Sequence, residues 1–336
     1  MRLATYNVEW FDYLLDDAGD LQRDAEPSGR YGASRAEQAA ALGEFFKALD
    51  ADAVLVVEAP GASAQRSTVA ALECFSTTYR LRTRRALIGF ANDTKQEIAF
   101  LFDPDKLSAR HAPRASDHQV PRFDGEFEID LNVDARMDRV RFSKPPLELE
   151  IETSCGDRFH LIGGAHLKSK APHGAKTDAD VVRIAMVNRR KQLAQALWLR
   201  ARIDQHLADG TLLVVLGDLN DGPGLDSFEG LFGRSSIEII LGTGGDEKLF
   251  DPHAARALST RFGAQPITAR FWMSQEKTYF QALLDYIMLS KRLRDQALGW
   301  RIWHPLDDPE IWRDATLREA LVTASDHFPV SVDLDI

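Results

Sequence analysis

Two short runs constrain the fold of this chain most: Ala53–Val57 (AVLVV) and Leu212–Leu216 (LLVVL). Neither contains a polar residue. A strand with one wet face alternates apolar and polar residues with a period of two. An unbroken aliphatic run of this length suits a strand covered on both faces. Further strand-like runs are Leu3–Val8, Glu97–Phe102, Leu147–Glu152, Phe159–Ala165, Asp285–Leu289 and Val330–Leu334. Two helices stand out. One opens at Ser34, with Glu37 completing a capping box, and runs to about Leu49. The other covers roughly Asp180–Leu207. Strands outnumber helices and the two do not alternate strictly. This favours an α/β sandwich of two sheets flanked by helices, in a single domain 1–336, over a doubly wound parallel sheet.

Composition narrows the class. The net charge of −10 excludes a globally basic nucleic-acid coat protein, although a local basic groove remains possible. The two cysteines, Cys74 and Cys155, are too few for a disulfide framework and have no metal-like spacing. No apolar run has the ~18 residues of a membrane span. The start, MRLATYNVEWF, shows no apolar leader, so the expected location is the cytoplasm.

Polar residues sit where the strand runs end. Asn7 follows LATY, Glu58 follows AVLVV, and His166 follows LIGGA. Asp218 and Asn220 follow LLVVLG, Asp285 precedes YIML, and Asp326–His327 precede FPVSVDL. Each alone would be unremarkable. Together they resemble a hard-metal site with acid–base partners. Phosphoester hydrolysis has that need. A hydroxide is repelled by the ester's negative charge, and a divalent cation such as Mg²⁺ neutralises it using a few oxygen ligands. Histidines move protons near neutral pH, and an aspartate behind a histidine sets its tautomer.

The segments TYNVEWF, VVEAP, HLKSK, GDLND, LDYIMLS and SDHFPV, in this order, resemble the motif set of the endonuclease/exonuclease/phosphatase superfamily. They run from Thr5 to Val330, essentially the whole chain. The resemblance implies a four-layer α/β sandwich and a Mg²⁺- or Mn²⁺-dependent phosphoester hydrolase. It implies Glu58 as principal metal ligand with Asn7 beside it, and Asp326 joining the metal shell. His327 would be the catalytic histidine, oriented by Asp285. Asp218 and Asn220 would position water and the phosphoryl group, with either Asp218 or His327 as base. His166 matches the second histidine of the deoxyribonuclease and sphingomyelinase branches. Two departures stand out. Val57, not glutamine, precedes Glu58, and Lys144 replaces an arginine before Pro-Pro-Leu.

Expected substrate contacts are Lys144, Lys168 and Arg189. Residues 166–202 hold nine Lys/Arg against two Asp. On the second helix Arg189 and Arg200 share the apolar stripe, whereas Lys191 and Arg202 point to water. Arg80, Arg82 and Arg84 would share a face if their segment were a strand. Against these cations stand acid-rich stretches at 12–26 and 307–319. The aromatic residues of Arg270-Phe271-Trp272 and Tyr279-Phe280 either stack on a substrate or pack structurally. His160, His173, His206 and His253 are expected to be structural or superficial, and His111 and His118 have no assignment. The leading function is a phosphodiesterase or nuclease on DNA, RNA or short oligonucleotides. The alternative is a phosphatase or phospholipase-type enzyme on a small or lipid phosphoester. A monomer is expected.

Overall fold

The computed structural model describes residues 1–90, 94, 96–117, 120–131, 137–171, 174–224, 233–259, 264–273 and 277–336. His118 and His173 lie outside them. One sheet has six strands in the order β14-β15-β1-β2-β4-β3. These are β14 (Ala297–Ile302), β15 (Val330–Leu334), β1 (Arg2–Asn7), β2 (Ala53–Pro60), β4 (Gln96–Phe102) and β3 (Arg85–Ile88). The other is β13-β10-β9-β8-β5. Its strands are β13 (Asp285–Leu289), β10 (Leu213–Asp218), β9 (Arg158–Gly163), β8 (Leu147–Thr153) and β5 (Leu107–His111). Two hairpins stand apart: β6 (Phe127–Ile129) with β7 (Asp138–Val140), and β11 (Ala269–Met273) with β12 (Thr278–Ala282).

The sheets pack face to face. Leu3, Leu55, Val57 and Phe100 meet Leu149, Leu161, Val214 and Ile287 in a shared buried core. On the outer face of the first sheet lie α1 (Arg35–Leu49), α2 (Thr68–Tyr79) and the helix Ala315–Ala324. On the second lies α3 (Asp178–Ala208) with the helix Ser236–Leu241. The result is the expected four-layer sandwich, and the apolar runs of β2 and β10 are buried on both faces. Ser34 caps α1 through the expected capping box with Glu37.

One expectation for α3 is corrected. Arg202 does not face water; it is fully buried. Its guanidinium meets Glu148 of β8 at 3.5 Å and donates to the Pro121 carbonyl at 3.0 Å. Phe123, Phe127 and Phe142 pack around Trp198, so residues 120–131 and 137–142 cover the face of α3 that a lone amphipathic helix would leave wet.

Topology brings the functional strand ends together. β1 and β2 run parallel, with Asn7 opposite Val57. β9 and β10 also run parallel. Strands β4, β13 and β15 run the other way, so their first residues lie at the same end. The C-terminal ends of β1, β2, β9 and β10 therefore meet the starts of β4, β13 and β15 at one edge of the sandwich.

Candidate active site

Asn7 ends β1, and its Nδ2 donates to Asp218 Oδ2 at 3.1 Å across the two sheets. Asp218 ends β10 directly opposite Asp285, the first residue of β13. Asp285 Oδ2 lies 2.8 Å from His327 Nδ1. The other imidazole nitrogen is 3.9 Å from Asp218 Oδ2. The Asn220 backbone N–H donates to Asp218 Oδ1 at 2.9 Å, and its Nδ2 donates to the Leu167 carbonyl at 3.2 Å. His166 Nε2 stands 3.7 Å from Asp218 Oδ2. Asn7, His166, Asn220, Asp285 and His327 thus converge around the buried Asp218 carboxylate, whereas Glu58 contacts Trp10 and Gln96 and Asp326 contacts Glu9.

The backbone is bent to achieve this. Glu58 sits on a bulge of β2 with φ 60°, and Asn220 has φ 49°. Glu9 and Trp10 are two consecutive left-handed residues, with φ 44° and 59°. Such conformations cost of order 1–3 kcal/mol each for non-glycine residues and cluster at functional sites. Here they have visible products. The Trp10 N–H donates to Glu58 Oε2 at 3.0 Å, and Glu9 Oε2 accepts the Asp326 N–H at 2.9 Å. Before His166, Gly164 has φ 71°, and a Cβ there would meet Ile98 Cγ2 at 2.1 Å. Only glycine lets the chain turn there beneath β4.

The charges are unbalanced. Burial, reinforced by Asp285, pushes the Asp218 carboxyl up to about 7, although His327 opposes the shift. Burial works against charge on His327, but Asp285 and Asp218 outweigh it and hold the imidazole well above its ordinary value. His166 is driven well below, first by burial and then by Lys144 and His327. Burial and the neighbouring Asp326 push Glu9 up to about 7. Asp285 Oδ1 is buried with no hydrogen-bond partner. Asp218, Asp285 and His327 offer ligand atoms within 4.8 Å of one another, so this group could hold a metal ion.

Two residues escaped the sequence reading. Gln96, the first residue of β4, donates its Nε2 to Glu58 Oε2 at 2.6 Å. It supplies from a neighbouring strand the polar contact that Val57 cannot make. Glu9 joins Asp326 to Arg30, whose guanidinium is 3.0 Å away. Glu9 lies inside the TYNVEWF motif, whereas Gln96 lies near none of the motifs and is placed by the pairing of β4 with β2.

The expected substrate contacts fare unequally. Lys144 Nζ donates to Gln96 Oε1 and to His166 Nδ1, the latter at 3.1 Å, so it lies inside the site. The Lys168 backbone N–H is tied to Gln195 Oε1 of α3 at 2.8 Å, and its charge reaches His166. Arg189 is corrected. It is 1% exposed and its guanidinium is 2.7 Å from Asp221, which gives a substrate no access to it. The aromatic hairpin β11–β12 borders the site. Phe271 packs edge-on against His327 at 5.4 Å, and Trp272 and Tyr279 remain half-exposed. A cleft of about 580 Å³ opens beside Asp326 between this hairpin, Glu9 and Tyr31.

Comparison with known proteins agrees with this geometry. The family model for the Endonuclease/Exonuclease/phosphatase family matches residues 4–327. No curated protein matches the chain in sequence. Among solved structures, the chain is similar to the 3′ phosphatase NExo from Neisseria, bound to product DNA hairpin, at 13% identity. That match has a TM-score of 0.50 and covers 100% of both chains. It is also similar to TDP2 from C. elegans at 13% identity and a TM-score of 0.52, covering 98% of this chain and 74% of that one. At such identity these likenesses concern the fold. Among the described residues no helix is long and apolar enough to cross a membrane. The family match, spanning nearly the whole chain and every strand end of the site, places this chain in the endonuclease/exonuclease/phosphatase family of phosphoester-hydrolysing enzymes.

Proposed function

We propose that the protein is a divalent-metal-dependent phosphodiesterase that acts on short or single-stranded nucleic acid and small diesters. The observation that carries this reading is the Asp285–His327–Asp218 line, with Asn7, Asn220 and His166 converging on Asp218. Glu58, Asn7 and Asp326 are the residues that would hold Mg²⁺ or Mn²⁺. The fit rests on oxygen donors: Glu58 is oriented by the Trp10 N–H and the Gln96 amide, beside a surplus of buried carboxylate. The Asp218–Asp285–His327 group suits proton transfer better than ligation. A ligating histidine offers a bare nitrogen, whereas His327 keeps both protons next to two aspartates. When bound, the ion would neutralise the phosphate charge and lower the barrier to attack.

The chain's own groups then divide the work. His327 is held charged, with Nδ1–H on Asp285, so it serves as donor to the phosphoryl or leaving oxygen. Asp218, lifted to about 7, is the group suited to take a proton from water. Asn220 and Asn7 hold its carboxylate in place.

Substrate size follows from where the cations go. Six of the nine cations in 166–202 are engaged by carboxylates: Lys170, Arg183, Arg189, Arg190, Arg200 and Arg202. Arg80 caps α2 in a left-handed conformation, while Arg82 and Arg84 pair with Asp52, Asp103 and Asp105. A continuous track for duplex phosphates is therefore lacking among the described residues. The acidic stretches are similarly occupied: Asp12 pairs with Arg66, and Asp308 and Asp314 cap helices. The test compares bis-p-nitrophenyl phosphate with the monoester, with Mg²⁺ or Mn²⁺ and with EDTA. Metal-dependent preference for the diester is expected. Preference for the monoester, or activity surviving EDTA, overturns the reading.

A further inference from the structure

The polarity of one hydrogen-bond chain is set by elimination. The Glu58 carboxylate only accepts, so the Gln96 amide nitrogen faces it, at 2.6 Å. The Gln96 amide oxygen must then face Lys144, whose ammonium has donors and no acceptor. The same ammonium lies 3.1 Å from His166 Nδ1. That nitrogen must accept, so the ring proton sits on Nε2, the atom facing Asp218 at 3.7 Å. Histidines in hydrolytic sites are usually oriented by an acceptor such as a carboxylate, which favours the imidazolium. A lysine does the reverse: it fixes the tautomer and opposes a second proton.

We infer that Lys144 is a positioning residue that locks His166 as a neutral Nε2–H donor, and that Gln96 couples this lock to Glu58. The inference rests on the proposed hydrolytic reading of the pocket, in which His166 donates a hydrogen bond to a phosphoryl oxygen and does not transfer a proton. Several features support it. Burial lowers the Lys144 pKa from its ordinary value, and Glu58, Asp218 and Glu97 oppose that shift. Burial and Lys144 both keep His166 from charging. The Gly164 turn fixes the backbone from which His166 projects.

The experiment uses isotope-labelled histidine in the full chain and nitrogen–proton correlation spectra of the imidazoles at neutral pH, with and without Mg²⁺. Loss of one ring pattern in His166→Gln assigns the signal. A neutral ring protonated on Nε2 is expected. A ring protonated on Nδ1, or an imidazolium, overturns the inference whether or not the protein hydrolyses diesters. Lys144→Met should release the tautomer and lower kcat for the diester roughly 10- to 100-fold, the usual cost of removing an orienting partner, with KM little changed. Lys144→Arg, also donor-only, should restore the Nε2–H pattern and much of kcat. An unchanged His166 spectrum in folded Lys144→Met overturns the lock.

Discussion

Two regions of this molecule bury charge, and they resolve it in opposite ways. Beneath α3, Arg189 and Lys170 share Asp221 at 2.7 and 2.6 Å, and Arg202 faces Glu148. There the cations match or outnumber the acids, and the charges tie helix to sheet. At the strand ends the acids win. Asp218 and Asp285 flank the charged His327 imidazole, Asp326 adds its charge to them, and even with Lys144 nearby Asp218 is driven up to about 7. A structural ion pair is complete in the folded chain. The proposed catalytic one is left short of positive charge, and a bound cation would relieve the shortfall.

The sharpest way to break this contrast is to remove the donor in the pocket. His327→Gln should lower kcat for the diester by about 10²–10⁴-fold, the range for a general acid or base, while far-ultraviolet circular dichroism stays unchanged. Glu58→Gln should cost at least ~100-fold, since metal stabilisation of the transition state amounts to several kcal/mol. Its deficit should shrink as Mn²⁺ is raised. Beneath α3 the same kind of change should act on stability. Arg202→Met leaves the buried Glu148 with only His206, 3.5 Å away, and should cost about 3–5 kcal/mol in denaturant unfolding. The kcat of the protein that remains folded should be unaffected.

A smaller effect separates the regions by pH. The folded pKa of Asp218 is raised above its unfolded value, so the folded state binds the proton more tightly. Its contribution to stability is present at low pH and is lost as pH rises through about 7. Asp218→Asn does not titrate. In EDTA, its melting temperature relative to the parent should therefore climb between about pH 4 and 7 and level off above that. A flat difference would place Asp218 among the structural pairs. The smallest effect concerns salt. The engaged cations leave few phosphate contacts, so kcat/KM on an oligonucleotide should fall with a shallow slope, far from the roughly −0.9 per phosphate accumulated by duplex binders.

How much of this was legible follows from the kind of signal each feature leaves. The aliphatic runs of β2 and β10 announced buried strands because no surface strand tolerates them. Asn7, Glu58, Asp218, Asp285 and His327 were legible as polar residues at the ends of such runs, and parallel and antiparallel pairing then brings those ends to one edge. The Arg202 error had a different origin. A helix's periodicity reports its best apolar face but not a second cover, and Val120, Pro121 and Phe123, which cover Arg202, leave no mark on α3. Arg189 was read correctly as facing inward, but Asp221 is its partner across a long separation in sequence. Gln96 was invisible for the same reason: its place beside Glu58 comes from β2–β4 register, with Pro60 opposite Gln96.

The central claim, that the strand-end pocket is built short of positive charge and is completed by a divalent ion, has a direct test. Mn²⁺ is titrated calorimetrically into metal-free protein and into Glu58→Gln, with diester hydrolysis read from the same samples. The account predicts saturable binding to the parent, clearly weaker binding to Glu58→Gln, and hydrolysis that rises with occupancy. Equal binding by both proteins, or undiminished hydrolysis in EDTA, would contradict it.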